Sequence, residues 1–178
     1  MRVGLGYDSH RFDDTRPLIL GGVTIPDHAG LSGHSDGDAV AHAVIDALLG
    51  AVGAGNVGSH FPPTDDQWKD ADSIELLATA MRVVEGRNYQ VVNVDVTIVC
   101  ESPRIGPHVE AMCVALGDVL RVGPDFVSVK GKSNEGMGWI GAGEGLAVHA
   151  ICLVDTMGGG PDGAGRSGGS SGAVPTLD

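Results

Sequence analysis

Leu146-Ala147-Val148-His149-Ala150-Ile151-Cys152-Leu153-Val154-Asp155 is the stretch on which the fold turns. It reads as a strand that is apolar at nearly every residue, so both of its faces must be kept from water. One layer of helices covers one face only. A second copy of the chain, packed sheet to sheet, would cover the other, and a closed homo-oligomer is therefore expected. His149, inside this run, reads as an interior or interface residue rather than a ligand.

Working outward, residues 90–100 alternate Val92, Val94, Val96 and Ile98 with Asn93, Asp95 and Thr97, a half-buried strand. Strands are also expected over 2–8, over 126–132 and, as a pair broken by Gly21-Gly22, over 18–25. The run 38–53 places Val40, Ala41, Val44, Ile45, Leu48 and Leu49 at helical spacing. Ser73 is the expected cap of a second helix ended by Gly86. A third follows Pro107, with Val109, Met112, Cys113, Leu116 and Leu120 on one stripe. This order predicts an α+β fold, a mixed or antiparallel sheet with helices on one face.

The 178 residues suit one domain, expected over 1–156. From Met157 to Asp178 the composition turns to Gly, Ser and Ala, which predicts a flexible tail. Eleven Lys and Arg against 23 Asp and Glu leave a net charge of −12, the wrong sign for a protein that neutralises a nucleic-acid backbone. A phosphorylated ligand would have to be held by metal ions, backbone N–H groups and a few local cations. Cys100, Cys113 and Cys152 are odd in number and lack paired spacing, which favours three core thiols in a reducing compartment. No apolar run is long enough for a membrane span, and no secretion signal precedes the first strand; a soluble, cytoplasmic protein is expected.

Asp8 and His10 are two apart on a strand and share a face, so a carboxylate and an imidazole can converge on one ion. In the first helix Asp38, His42 and Asp46 are four apart, with the histidine between two carboxylates, one of which could fix its tautomer. The bland alternative is a solvated acidic helix face. Together Asp8, His10 and His42 form a donor set suited to zinc, and three protein ligands leave a working fourth position open. Ser32-Gly33-His34-Ser35-Asp36-Gly37-Asp38 lies at a helix N-terminus, where His34 and Ser35 could meet a phosphate; the same string could simply be a cap with Asp36 or Asp38 as the capping residue. In Lys130-Gly131-Lys132-Ser133-Asn134-Glu135-Gly136, Lys132 and Ser133 suit phosphate oxygens and Glu135 suits a hard cation such as Mg²⁺.

Taken in order, Asp8-Ser9-His10, His34-Ser35-Asp36-Gly37-Asp38, His42, Asp46-Ala47-Leu48-Leu49-Gly50, Gly58, Phe61-Pro62-Pro63-Thr64-Asp65, Asn93-Val94-Asp95 and Gly141-Ala142-Gly143-Glu144-Gly145 resemble the 2-C-methyl-D-erythritol 2,4-cyclodiphosphate synthases of non-mevalonate isoprenoid synthesis. The resemblance spans about residues 1–156. It implies a homotrimer with sheets packed around a threefold axis and active sites at the subunit boundaries. The implied reaction is attack by the 2-phosphate of 4-diphosphocytidyl-2-C-methyl-D-erythritol 2-phosphate on its own β-phosphorus, releasing CMP. Zn²⁺ on Asp8, His10 and His42, Mg²⁺ or Mn²⁺ on Glu135, and transition-state stabilisation by His34 and Ser133 are implied as well. So is a cytosine-enclosing loop at 100–106, including Cys100, Arg104, Ile105 and Gly106, with further substrate contacts at Ser35, Asn56, Gly58, Phe61, Asp65, Lys132 and Trp139.

The chain departs from the family's pattern at Asn56 and Pro63, where Asp is common beside the sugar hydroxyls, at Ala142, where many members carry Arg, and at Trp139, which replaces Phe. A zinc phosphohydrolase and a non-catalytic trimeric metal-binding scaffold are the rival readings.

Overall fold

A computed structural model describes residues 1–158 of the chain. Its first strand, β1 (Arg2–Leu20), is longer than expected, and β2 (Val23–Leu31) returns antiparallel to it. The expected strand over 2–8 runs on because β1 pairs with β2 across irregularities near Asp13 and Pro17. Next come α1 (Ala39–Ala51), the single turn α2 (Val57–His60), a short 3₁₀ turn at Asp66–Trp68 and α3 (Ser73–Gly86). The chain continues through β3 (Tyr89–Val99), α4 (Val109–Leu120), β4 (Val127–Lys132), the one-turn α5 (Gly138–Gly141) and β5 (Gly145–Thr156).

These strands form one sheet in the order β2-β1-β5-β3-β4, antiparallel throughout except for the parallel β3–β4 pair. The mixed α+β expectation holds. The expected tail lies, beyond Gly158, outside the described residues. No helix among the described residues is long and apolar enough to cross a membrane.

The inner face of the sheet is set by alternation. Leu146, Val148, Ala150, Cys152 and Val154 of β5 and Val94, Val96 and Ile98 of β3 are buried against the helices. On β1 the same face carries Gly4, Gly6, Asp8 and His10, paired across to Cys152, Ala150, Val148 and Leu146. The two glycines let α1 lie directly on the strand. A Cβ on Gly6 would sit 1.8 Å from the Ala43 carbonyl oxygen, and one on Gly4 1.8 Å from that of Ala47. Helix α1 is consequently buried almost all round; His42, Asp46 and Gly50 mark its one uncovered stripe.

Asp38 caps α1, accepting from the Val40 and Ala41 N–H groups, and its carboxylate also takes the N–H of Gly21 and Gly22 in the β1–β2 turn. Both turn glycines have positive φ, +57° and +75°, conformations that a side chain would strain. Burial raises the Asp38 pKa, and hydrogen bonds from these backbone groups pull it back. For α3 the cap is Asp72, which accepts from Ile74 N, not the expected Ser73. Ser73 is the first helical residue, and its hydroxyl is turned into the site described next.

The outer face of the sheet is different. Val3, Leu5, Tyr7 and Ile151 are 68%, 67%, 50% and 49% exposed, so the second apolar face of the deciding strand is uncovered among the described residues. His149 lies on this face beside Tyr7, with ring centroids 5.0 Å apart, and is exposed rather than interior.

Candidate metal and phosphate site

The two-residue period of β1 and the contact between β1 and α1 bring three donors together. Asp8 Oδ2 is 2.8 Å from His10 Nε2 and 3.0 Å from His42 Nδ1. The three residues offer ligand atoms within 4.8 Å of one another. His10 Nδ1 donates to the Ser32 carbonyl at 2.5 Å, which leaves Nε2 as the atom facing the cluster. Burial alone would raise the Asp8 carboxyl, but hydrogen bonds and charge from His10 and His42 hold it well below the usual carboxylate range. Burial would likewise lower His10, and Asp8 raises it instead, above 6.5.

Neither carboxylate of the four-residue spacing, Asp38 or Asp46, fixes the imidazole of His42. Asp38 is consumed by its caps, and His42 Nε2 instead faces two hydroxyls, Ser35 Oγ and Ser73 Oγ, each at 3.0 Å. Asp46, on the other side, accepts the Val57 N–H at 2.7 Å, and burial raises its pKa.

A cavity of about 240 Å³ opens over the cluster, lined among others by Asp8, His10, His34, Ser35, His42 and Phe61. His34 sits at its edge, with Nε2 donating to the Asp65 carbonyl at 3.3 Å. Gly58, Pro63 and Trp68 complete the rim. The Asn56 and Asp65 side chains are engaged locally, Asn56 Oδ1 with Ser59 N and Asp65 Oδ1 with Gln67 N. The turn carrying His34 is clamped by Arg16, which donates to the carbonyls of Gly33 and Ser35. Neither Arg16 nor Ser73 was legible as a site residue, because each acts from a distant stretch of sequence.

Residues 100–106 and the turn after β4 border a second pocket of about 510 Å³, lined by Cys100, Arg104, Ile105, Gly106, Lys132 and Ser133 among others. The Ser133 hydroxyl donates to Glu135 Oε1 at 2.8 Å. Glu101, also missed in the sequence, holds this turn by accepting the N–H groups of Asn134 and Gly136. Of the two lysines noted there, Lys130 is ion-paired with Asp95, leaving Lys132 toward the pocket. Cys100 is buried and burial pushes its thiol up to about 11, so it is no nucleophile at neutral pH.

The two pockets share no lining residue. They open at the same end of the sheet, since Ser9 and Val99 both pair with Ala147 while Lys132 pairs with Val99. Three strand steps separate them, about 14 Å at ordinary inter-strand spacing. Trp139 lies elsewhere, in a pocket of about 320 Å³ with Ser9, His10, Arg11 and Glu144.

The model of the YgbB family matches residues 1–155. A 2-C-methyl-D-erythritol 2,4-cyclodiphosphate synthase of Symbiobacterium thermophilum is 50% identical over 154 residues, 86% of this chain and 98% of that protein. One from Laribacter hongkongensis is 49% identical, covering 88% of this chain and 96% of its own. Among solved structures, a CDP-bound form of the same synthase superposes with a TM-score of 0.79 at 38% identity, covering 86% of this chain and all of the other. The IspF of Plasmodium falciparum in complex with CDP gives 0.76 at 31% identity, over 88% of this chain and 96% of that one.

Proposed function

The chain belongs to the YgbB family, that of the 2-C-methyl-D-erythritol 2,4-cyclodiphosphate synthases, and on that premise we propose how its own residues divide the work. The activity is that of a lyase of the non-mevalonate isoprenoid pathway, converting 4-diphosphocytidyl-2-C-methyl-D-erythritol 2-phosphate to the 2,4-cyclodiphosphate and CMP. The observation that carries the assignment of roles is the convergence of His10 Nε2 and His42 Nδ1 on one Asp8 oxygen in the wall of a cavity flanked by His34.

A two-nitrogen, one-oxygen donor set fits Zn²⁺, with the histidines directed at the cluster and the carboxyl held ionised. When bound, that ion supplies positive charge to a phosphate oxygen. Asp8, His10 and His42 hold it. His34, and Ser133 from the second pocket, donate to phosphate oxygens where charge builds up in the transition state. Lys132 neutralises part of the diphosphate, and the Glu135 carboxylate holds Mg²⁺ or Mn²⁺. Ser35 acts beside His42, while Asn56, Gly58, Phe61 and Asp65 border the sugar. The backbone at Cys100, Arg104, Ile105 and Gly106 encloses the cytosine. The CDP bound in related solved structures supports a cytidyl ligand.

No strong base is needed, because the nucleophile is already a phosphate anion. Alignment is the large term: holding two groups of one molecule in line is worth up to about 7–11 kcal/mol. With the two half-sites about 14 Å apart across one sheet, one complete site is built from a neighbouring chain's second pocket and this chain's metal cluster. The exposed Val3, Leu5, Tyr7 and Ile151 are the packing face of that homotrimer. Residues 1–156 are then the cyclodiphosphate synthase domain.

Incubation with the cytidyl substrate, Zn²⁺ and Mg²⁺ in ¹⁸O-water, followed by mass spectrometry, tests the division of roles. A cyclic product without ¹⁸O is expected. An open-chain product carrying ¹⁸O would mean a hydrolase, and unchanged substrate would mean a scaffold.

A further inference from the structure

Ser73 is fully buried at the first turn of α3, and both of its polar groups reach one carboxylate. Its N–H is 3.0 Å from Asp36 Oδ2 and its hydroxyl 2.5 Å from Asp36 Oδ1. An ionised carboxylate only accepts, so the single hydroxyl proton of Ser73 is committed to Asp36. The same oxygen lies 3.0 Å from His42 Nε2. With its proton committed, it can only accept there, and the hydrogen of that bond must sit on Nε2. Ser35 Oγ, at the same distance from Nε2, can accept there as well, with its own proton turned to Ser73 Oγ 3.4 Å away. An imidazole whose proton is on Nε2 keeps its lone pair on Nδ1, the atom that faces Asp8 at 3.0 Å.

We infer that Asp36, acting through Ser73, is a positioning pair that holds His42 as its Nε2–H tautomer and thereby presents Nδ1 to a divalent ion shared with Asp8 and His10. The inference rests on the metal-centre reading above and adds the residues that orient one of its ligands. An orienting partner is needed because the Asp8 carboxylate, an acceptor beside Nδ1, draws the proton to the wrong nitrogen. The Ser73–Asp36 pair pulls the other way. Asp36 also accepts from Asp38 N at 3.0 Å, and its own N–H donates to the Ala71 carbonyl at 3.1 Å. One carboxylate therefore ties the start of α1, the start of α3 and the metal histidine together. Outer-shell partners of this kind are worth about 10–100-fold in metal affinity.

The test compares wild type, Ser73→Ala and Asp36→Asn by zinc competition against a chromophoric chelator, and by ¹H–¹⁵N correlation spectra of histidine-labelled, zinc-loaded protein. Expected are a loss of about 10–100-fold in zinc affinity for Ser73→Ala, a smaller loss for Asp36→Asn, whose amide oxygen still accepts, and faster solvent exchange of the His42 Nε2–H signal in both. A purely structural role would lower thermal stability and leave that signal's exchange unchanged. Should Ser73→Ala fail to fold, Asp36→Asn carries the comparison. Variants that bind zinc within twofold of wild type, with an unchanged Nε2–H signal, overturn this inference alone. A wild type that takes up no zinc overturns the metal centre and the inference with it.

Discussion

At His10 a proton and the proposed metal ion would compete for one nitrogen. Its pKa is held above 6.5 by Asp8 despite burial, so in the metal-free protein the pair contributes stability that is fully present below pH 6.5 and lost as pH rises through the raised value. Zinc at the proposed centre would have to displace that proton, and its binding would run the opposite way. Apparent zinc affinity is predicted to fall as pH drops from about 8 to about 6, with proton release visible as a buffer-dependent heat in calorimetry; flat affinity across that range would contradict it. The two proposed metal sites are separable at the same scale. His42→Ala is predicted to weaken zinc by more than the roughly 100-fold upper range for an outer-shell change, measured by retained metal after dialysis. Glu135→Gln is predicted to retain zinc and lose the rate response to added Mg²⁺. Normal turnover by Glu135→Gln would remove Glu135 from the second-metal role.

Among the elements, the contact of β1 with α1 decides where the donors meet. Asp8 and His10 share a face by the period of two, which is local and legible; that Gly4 and Gly6 are what seats α1 against that face is not. Gly6→Ala would drive a methyl carbon to 1.8 Å from the Ala43 carbonyl oxygen. It is predicted to cost about 3 kcal/mol or more, read as a lowered midpoint in urea or as insoluble protein. A Gly6→Ala chain within about 0.5 kcal/mol of wild type, the usual range for an inconsequential substitution, would show that the helix can shift away. Caps were legible only in part. Asp38 and Ser73 are both good capping residues by type, yet Asp38 also binds the Gly21-Gly22 turn, while Asp72 takes the cap and frees Ser73 for His42. Choosing between two adjacent candidates requires knowing what lies across the gap.

For the whole molecule, the inner sheet face is covered by helices and the outer face by nothing among the described residues. Exposed Val3, Leu5, Tyr7 and Ile151 form a patch that a soluble monomer seldom leaves open. Ile151→Asp buries a charge in the proposed trimer but touches solvent in the monomer. It is predicted to give a folded monomer by analytical ultracentrifugation that keeps zinc and loses more than about 100-fold in turnover, a drop of about 2.7 kcal/mol in transition-state stabilisation, because each site would lack its second half. Full turnover by a monomeric variant would mean that one chain holds a complete site.

The amino-acid order alone determined the α+β class, the main helices, the three candidate metal donors and the double-sided demand of the last strand. These follow from periodicity and residue chemistry, which act over a few neighbours. Only the tertiary structure decided which atoms of those donors face one another, that hydroxyls rather than Asp38 support His42, and that the two pockets open three strands apart at one sheet end. Such pairings join residues tens of positions apart, and the packing that selects among them is a property of the closed fold rather than of any segment within it.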